Sequence, residues 1–233
     1  MWLGWGWETR SPAMKRASIR FIETKSAITT LSTKFGGQPV WAVQADWPLS
    51  QSTNVPMRFI GQVRVEGPMF PKAPLSMAYI FMADEGEGWD PTKGDNKVIL
   101  QPIRDESVAS ISSFTGPSLE KSVKSKDGLL GFKACEYRVN LSIRNDPDRE
   151  PLGDGFWWWL RMLIHSVRIA GNKLGGVPFW VQDEEYPFDE PCYLLLQLDS
   201  THVPFYINFG DNGTGYVFIL EDASEGRFLW QCL

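Results

Sequence analysis

Short runs in which apolar and polar residues alternate recur along most of the chain, and few apolar runs have the spacing of a helix. SIRFIETKSAITTL (18–31) alternates well enough for a strand or two. MRFIGQVRV (57–65) predicts a strand with Phe59, Gly61, Val63 and Val65 on one face and Arg58, Ile60, Gln62 and Arg64 on the other. SMAYIFMAD (76–84) and KVILQPI (97–103) predict two further strands, and FKACEYRVNL (132–141) another. In the last third, CYLLLQLDS, FYINFGDNGTGYVFILED and FLWQC read as strands separated by turn residues. One helix is predicted over 156–170: Asp154 is its N-cap, Phe156, Leu160, Leu163, Ile164 and Val167 form its stripe, and Gly171 stops it. Trp157, Trp158 and Trp159 wrap further round that helix than a core stripe requires, so some are expected to touch the other half or a partner.

The pattern is written twice. KFGGQPVW (34–41) and KLGGVPFW (173–180) match at Lys, Gly, Gly, Pro and Trp. Each is followed by an aromatic-Pro pair, Trp47-Pro48 or Tyr186-Pro187, and then by a strand-like run with an embedded Gln, Gln62 or Gln197. The expected fold class is therefore α+β: β-rich, mainly antiparallel sheets with few helices, internally duplicated into two pseudo-symmetric halves. The organisation read from this is a Trp-rich lead over 1–33, a first half over 34–145 and a second over 146–233, all in one compact domain. Residues 105–128, rich in Ser and Lys, read as a surface excursion.

Composition alters this picture only in part. With 43% hydrophobic and 22% charged residues, the chain is ordinary globular material. Eleven Trp is high, which fits aromatic cores under short strands or, for some, surface anchors. Cys135, Cys192 and Cys232 are odd in number and widely spaced, which points away from a disulfide framework or zinc site and towards a reducing compartment. No signal-peptide pattern and no apolar run of spanning length is read, so a cytoplasmic protein without membrane contact is expected. The net charge of −5 is uneven: from Pro151 onward there are four Lys+Arg against eleven Asp+Glu. An acidic half disfavours nucleic acid and favours a basic protein as partner.

Candidate chemistry is sparse. Only His165 and His202 exist, and no nucleophile, zinc or phosphate-loop motif accompanies them, so no catalytic residue, metal or cofactor is assigned. GDNGTG (210–215) lies between strands and reads as a tight turn rather than a phosphate cradle. Asp183, Glu184, Glu185, Asp189 and Glu190 crowd one loop, where they form either a solvated rim, an acid-base pair, or a docking surface for a basic partner. The repeated Lys34 and Lys173 either bind an anion, snorkel along apolar surface or cap a strand end beside the Gly-Gly turn. Gln62 and Gln197 are expected as buried amides bridging a neighbouring loop, and Trp41 and Trp180 as core plugs.

The combination KFGGQPVW, WP and FIGQ, then KLGGVPFWVQ, LLLQLDS, GDNGTGYVFI and FLWQC resembles the YwqG-like family of bacterial proteins of unknown function, from about Lys34 to the end. That resemblance implies an internally duplicated α+β fold with no established activity. Some members resemble immunity proteins that bind and neutralise a toxin. Taken with the acidic half, the expectation is a non-catalytic module binding a toxin domain that has a basic face, through Asp183, Glu184, Glu185, Asp189, Glu190, Trp157 and Trp158. The alternative is a small-ligand-binding protein or enzyme whose site lies in the crevice between the halves, with Lys34, Lys173, Asp211 and Tyr216 as its first residues.

Overall fold

The computed structural model of the chain describes residues 14–111, 114–125, 127–146 and 169–233. The predicted helix over 156–170, with Trp157, Trp158 and His165, lies outside these residues up to Ile169, which is buried. In chain order the described strands are β1 (Lys15–Glu23), β2 (Lys34–Gly36), β3 (Val40–Trp41), β4 (Arg58–Val65), β5 (Ser76–Met82), β6 (Asn96–Pro102), β7 (Ser110–Ile111), β8 (Glu120–Lys124), β9 (Leu130–Ala134) and β10 (Glu136–Asn145). β11 (Lys173–Gly175), β12 (Cys192–Asp199), β13 (Thr214–Leu220) and β14 (Gly226–Gln231) complete the set.

Ten of them form one antiparallel sheet in the order β14-β13-β12-β11-β1-β10-β2-β4-β5-β6. The sheet curls until its two edges, β6 and β14, approach each other without bonding, which leaves a nearly closed barrel. At the seam a Cβ added to Gly226 would lie 2.5 Å from Val98 Cγ1. β1, which precedes the first repeat in sequence, sits at the middle of the sheet and joins β11 to β10.

β4, β5, β12 and β13 are buried on both faces, and alternation decides which core each of their residues enters. Ala78, Ile80 and Met82 of β5, with Val217 and Ile219 of β13, point into one central core. Met77, Tyr79 and Phe81 point outward into a cluster capped by Trp41. Tyr216 and Phe218 point outward under a second cap made by Phe188 and the half-buried Trp180. The face assignment made for 57–65 is corrected here by a bulge. The register shifts between Phe59 and Gly61, so Ile60 joins Val63 and Val65 in the central core while Phe59 alone goes outward. β12 shifts at the matching place, between Leu194 and Leu196.

Two further runs differ from their predicted form. The 132–141 run breaks at the buried Cys135 into β9 and β10, because the Cys135 carbonyl bonds to Gly37 N (3.0 Å) and Cys135 N to the Leu119 carbonyl (3.1 Å) instead of continuing one ladder. Residues before Thr214 are not strand, yet Phe205, Ile207 and Phe209 plug the central core, and Tyr137 Oη donates to the Pro204 carbonyl at 2.9 Å.

Candidate functional site

The repeated motif builds the same bonded unit in each half. Gly36 and Gly175 have φ of +72° and +69°, and a Cβ there would strike Cys135 O at 2.2 Å or Lys15 O at 2.8 Å, so the neighbouring backbone excludes any side chain. The turn returns the chain over its own lysine. Lys34 Nζ donates to the carbonyls of Gln38 (2.6 Å) and Ile28 (3.2 Å) and pairs with Glu136 at 2.6 Å. Lys173 Nζ donates to the Val177 carbonyl and lies 3.6 Å from Asp146. Both lysines are buried, so neither snorkels; each caps the carbonyl that follows its Gly-Gly turn. Burial pulls the Lys173 ammonium down to about 8 against the attraction of Asp146, and it lowers Lys34 despite the hydrogen bond to Glu136.

Around these lysines the two halves repeat their contacts. Gln62 Oε1 accepts from Val40 N (2.9 Å), and Gln197 Oε1 from Phe179 N (2.8 Å). Tyr79 Oη accepts from Ala42 N (2.7 Å) and donates to Val40 O (2.8 Å). Tyr216 Oη does the same with Val181 N (3.1 Å) and Phe179 O (2.6 Å). Burial raises both phenols well above the ordinary tyrosine value. Gln101 accepts from Val43 N and donates to Gln44 O, while Gln231 accepts from Gln182 N and donates to Asp183 O.

These paired bonds align the two capping loops residue by residue, and there the halves diverge. Asp183, Glu184, Glu185, Asp189 and Glu190 stand where the first loop has Gln44, Ala45, Asp46, Ser50 and Gln51. All five acids are exposed. The loop beneath them is fixed: Tyr186 packs edge-on to Trp180 at 5.3 Å, Phe188 is buried, and Arg227 stands 4.4 Å over the Phe188 ring while donating to the Pro187 carbonyl. Glu185 also accepts from Gln231 Nε2 at 3.2 Å.

The structure does not gather the alternative set at one place. Lys34 and Lys173 belong to separate units, Tyr216 lies under the second cap, and Asp211 is on an exposed turn where its carbonyl accepts from Leu233 N. Among the described residues a groove of about 510 Å³ lies elsewhere, along the seam, lined by Leu49, Met57, Lys97, Val98, Arg227 and Phe228 among others. Its rim is tied by the buried Asp95, which accepts from Ser50 Oγ, Ser52 N and Oγ, and Glu87 N. Desolvation opposes ionisation of Asp95, but these donors prevail and hold it at about 2. The sequence pointed to a crevice between the halves but not to these lining residues, because nothing in the chain marks β6 and β14 as neighbours. Among the described residues no group of three or more His, Cys, Asp or Glu is placed to hold a metal, and no helix is long and apolar enough to cross a membrane.

Fold and site together define a β-rich, antiparallel protein with two lysine-centred units under separate aromatic caps, one cap strongly acidic. Residues 33–229 match the family model described as a domain of unknown function (DUF1963), and the chain belongs to that family. Comparison with curated proteins gives no match.

Proposed function

We propose that the protein is a non-catalytic binding module that presents the loop carrying Asp183, Glu184, Glu185, Asp189 and Glu190 to a basic protein partner. The observation carrying this reading is the divergence of two equally built loops. The bonds that Tyr79 and Gln101 make to the first loop recur from Tyr216 and Gln231 to the second, whereas exposed acids are concentrated on the second. At four of these positions the first loop folds with Gln44, Ala45, Ser50 and Gln51 instead. The matching contacts also support an internally duplicated origin. The YwqG-like resemblance supplies the finer reading, an immunity protein whose partner is a toxin domain with a basic face.

Two linked experiments test it. Affinity capture from the protein's own cells is expected to return one stoichiometric partner, encoded beside it and toxic when expressed alone. Against that partner, combined Glu184→Lys, Asp189→Lys and Glu190→Lys is expected to slow association by about ten- to a hundredfold at low salt, with less effect at high salt. An association rate equal to the wild type would remove the loop from the interface.

The seam groove supports a second reading, a small-ligand site between the halves. Its volume lies within the range of ligand pockets, roughly 300–1,000 Å³. A thermal-shift screen of metabolites is expected to yield a stabilising ligand whose effect disappears in Lys97→Ala; stabilisation that survives this change would place the ligand elsewhere.

A further inference from the structure

The middle of the sheet carries a second charged surface, of the opposite sign and on different strands from the acidic loop. β1 and β10 are the two longest strands, paired along nine residues from Lys15↔Asn145 to Glu23↔Tyr137. Their inward face carries Ala17, Phe21, Tyr137 and Val139, which reach the central core. The register puts the opposite set on the outer face: Arg20 across from Asn140, Ile22 across from Arg138, Ser18 across from Ser142, and Arg16 across from Arg144.

Among the described residues, neither cap covers this outer strip. On one side, Trp41 and its loop cover β4 and β5; on the other, Trp180 and Phe188 cover β12 and β13. Between the two caps, Arg20, Arg138, Asn140, Ser142 and Arg144 are exposed. The pairing of arginines across the molecule singles the strip out. Arg16, Arg58, Arg64 and Arg227 each meet a carboxylate. Arg20, Arg104, Arg138 and Arg144 make no hydrogen bond or ion pair among the described residues, and three of these four converge on this one face. The carboxylates closest along the strands are already engaged: Glu23 by Lys121, Glu136 by Lys34, and Asp146 by Arg16 and Lys173. On a protein of net charge −5, a strip of unpaired guanidinium groups is a local reversal of sign.

We propose that the outer face of β1 and β10 is a docking surface for an acidic, extended polypeptide segment. Guanidinium groups bind carboxylates in a bidentate fork. Alternate side chains of an extended chain repeat every ~6.8 Å on one side, the same period as the outward positions of β10, so Asp or Glu at every second position would meet Arg138, Asn140, Ser142 and Arg144 in register. Asn140, Ser18 and Ser142 add neutral hydrogen-bonding groups suited to a peptide backbone. The face carries no aromatic ring and only Ile22 as an apolar side chain, so it lacks the stacking platform on which single-stranded nucleic acids are held.

The test uses the full chain and a labelled oligoglutamate of about ten residues, long enough to run roughly the length of β10. Anisotropy at low salt is expected to show binding that weakens as salt rises. The triple variant Arg20→Ser, Arg138→Ser, Arg144→Ser is expected to bind at least about tenfold more weakly, with its melting temperature retained because the side chains are exposed and unpaired. Arg104→Ser, an equally unpaired arginine off this face, is expected to bind like the wild type. A loss in Arg104→Ser as large, per charge removed, as in the triple variant would reduce the effect to net charge and overturn the proposal. So would tighter binding of an oligothymidylate that depends on the same three arginines, which would assign the surface to nucleic acid.

Discussion

Trp41→Ala is expected to lower the unfolding free energy by about 3–5 kcal/mol, a large share of the stability of an ordinary domain. Trp41 is fully buried, its ring 4.5 Å from Tyr79 and 6.1 Å from Phe81, and it closes the cluster that also holds Val40, Met57, Phe59 and Met77. Truncation would leave a ring-sized cavity walled by strand residues that are hydrogen-bonded on both sides and cannot collapse into it. The indole N–H has no hydrogen-bond partner among the described residues, so the loss is one of packing. Trp41→Phe is accordingly expected to recover more than half of it. Trp180 occupies the same place in the second half, 4.8 Å from Tyr216 and 5.7 Å from Phe218, but it is only half-buried. Trp180→Ala should therefore cost less, about 2–3 kcal/mol. Urea unfolding of the three variants measures this, and a loss at Trp41 no greater than at Trp180 would contradict the packing account.

The equivalence of the two tryptophans could be read before any coordinates, because a motif with the same Gly-Gly punctuation imposes the same turn twice. The strands were also legible, since runs such as SMAYIFM have strand length and are bounded by Pro and Gly. Their orientation was not. A strand buried on both faces shows no polar alternation, so nothing in SMAYIFM tells that Tyr79 faces a cap while Ile80 faces the barrel. At 57–65 alternation is present, but one bulged residue shifts everything before it to the other face, and a bulge leaves no periodic mark. The fate of the lysines was hidden for a different reason. Lysine is seldom buried, and the carboxylates that make burial tolerable lie far off in sequence, Glu136 for Lys34 and Asp146 for Lys173. The acidic loop was the part of the site that composition alone could reveal, because exposure is the ordinary state of clustered acids. The basic face of β1 and β10 depends on a register between strands more than a hundred residues apart, which only the folded sheet sets.

Stability is expected to rise as pH increases from 8 to 9, against the usual decline of proteins made alkaline. An unfolded Lys173 keeps its proton to 10.5, whereas the folded one releases it near 8. Between those values the unfolded chain binds more protons, so raising the pH favours the folded state, by at most about 1.4 kcal/mol per pH unit for one such group. Lys34 is lowered in the same direction. The opposing groups act at higher pH: burial lifts Cys135 from 9.0 to about 11, and Tyr79, Tyr137 and Tyr216 are all raised, so each favours the unfolded state once its free counterpart ionises. The gain should thus appear between pH 8 and 9 and reverse above about 10. Lys173→Met is expected to abolish the rise while costing about 1–3 kcal/mol at pH 7.5, since Asp146 keeps Val177 N and Arg16 as partners. Lys34→Met should cost more, about 3–5 kcal/mol, because it strips a 2.6 Å ion pair and two half-buried carbonyls of their donor. Urea midpoints measured from pH 7 to 11 distinguish the variants. A wild-type midpoint that falls steadily from pH 8, or a rise that persists in Lys173→Met, would mean that Lys173 is not the buried cation the fold makes of it.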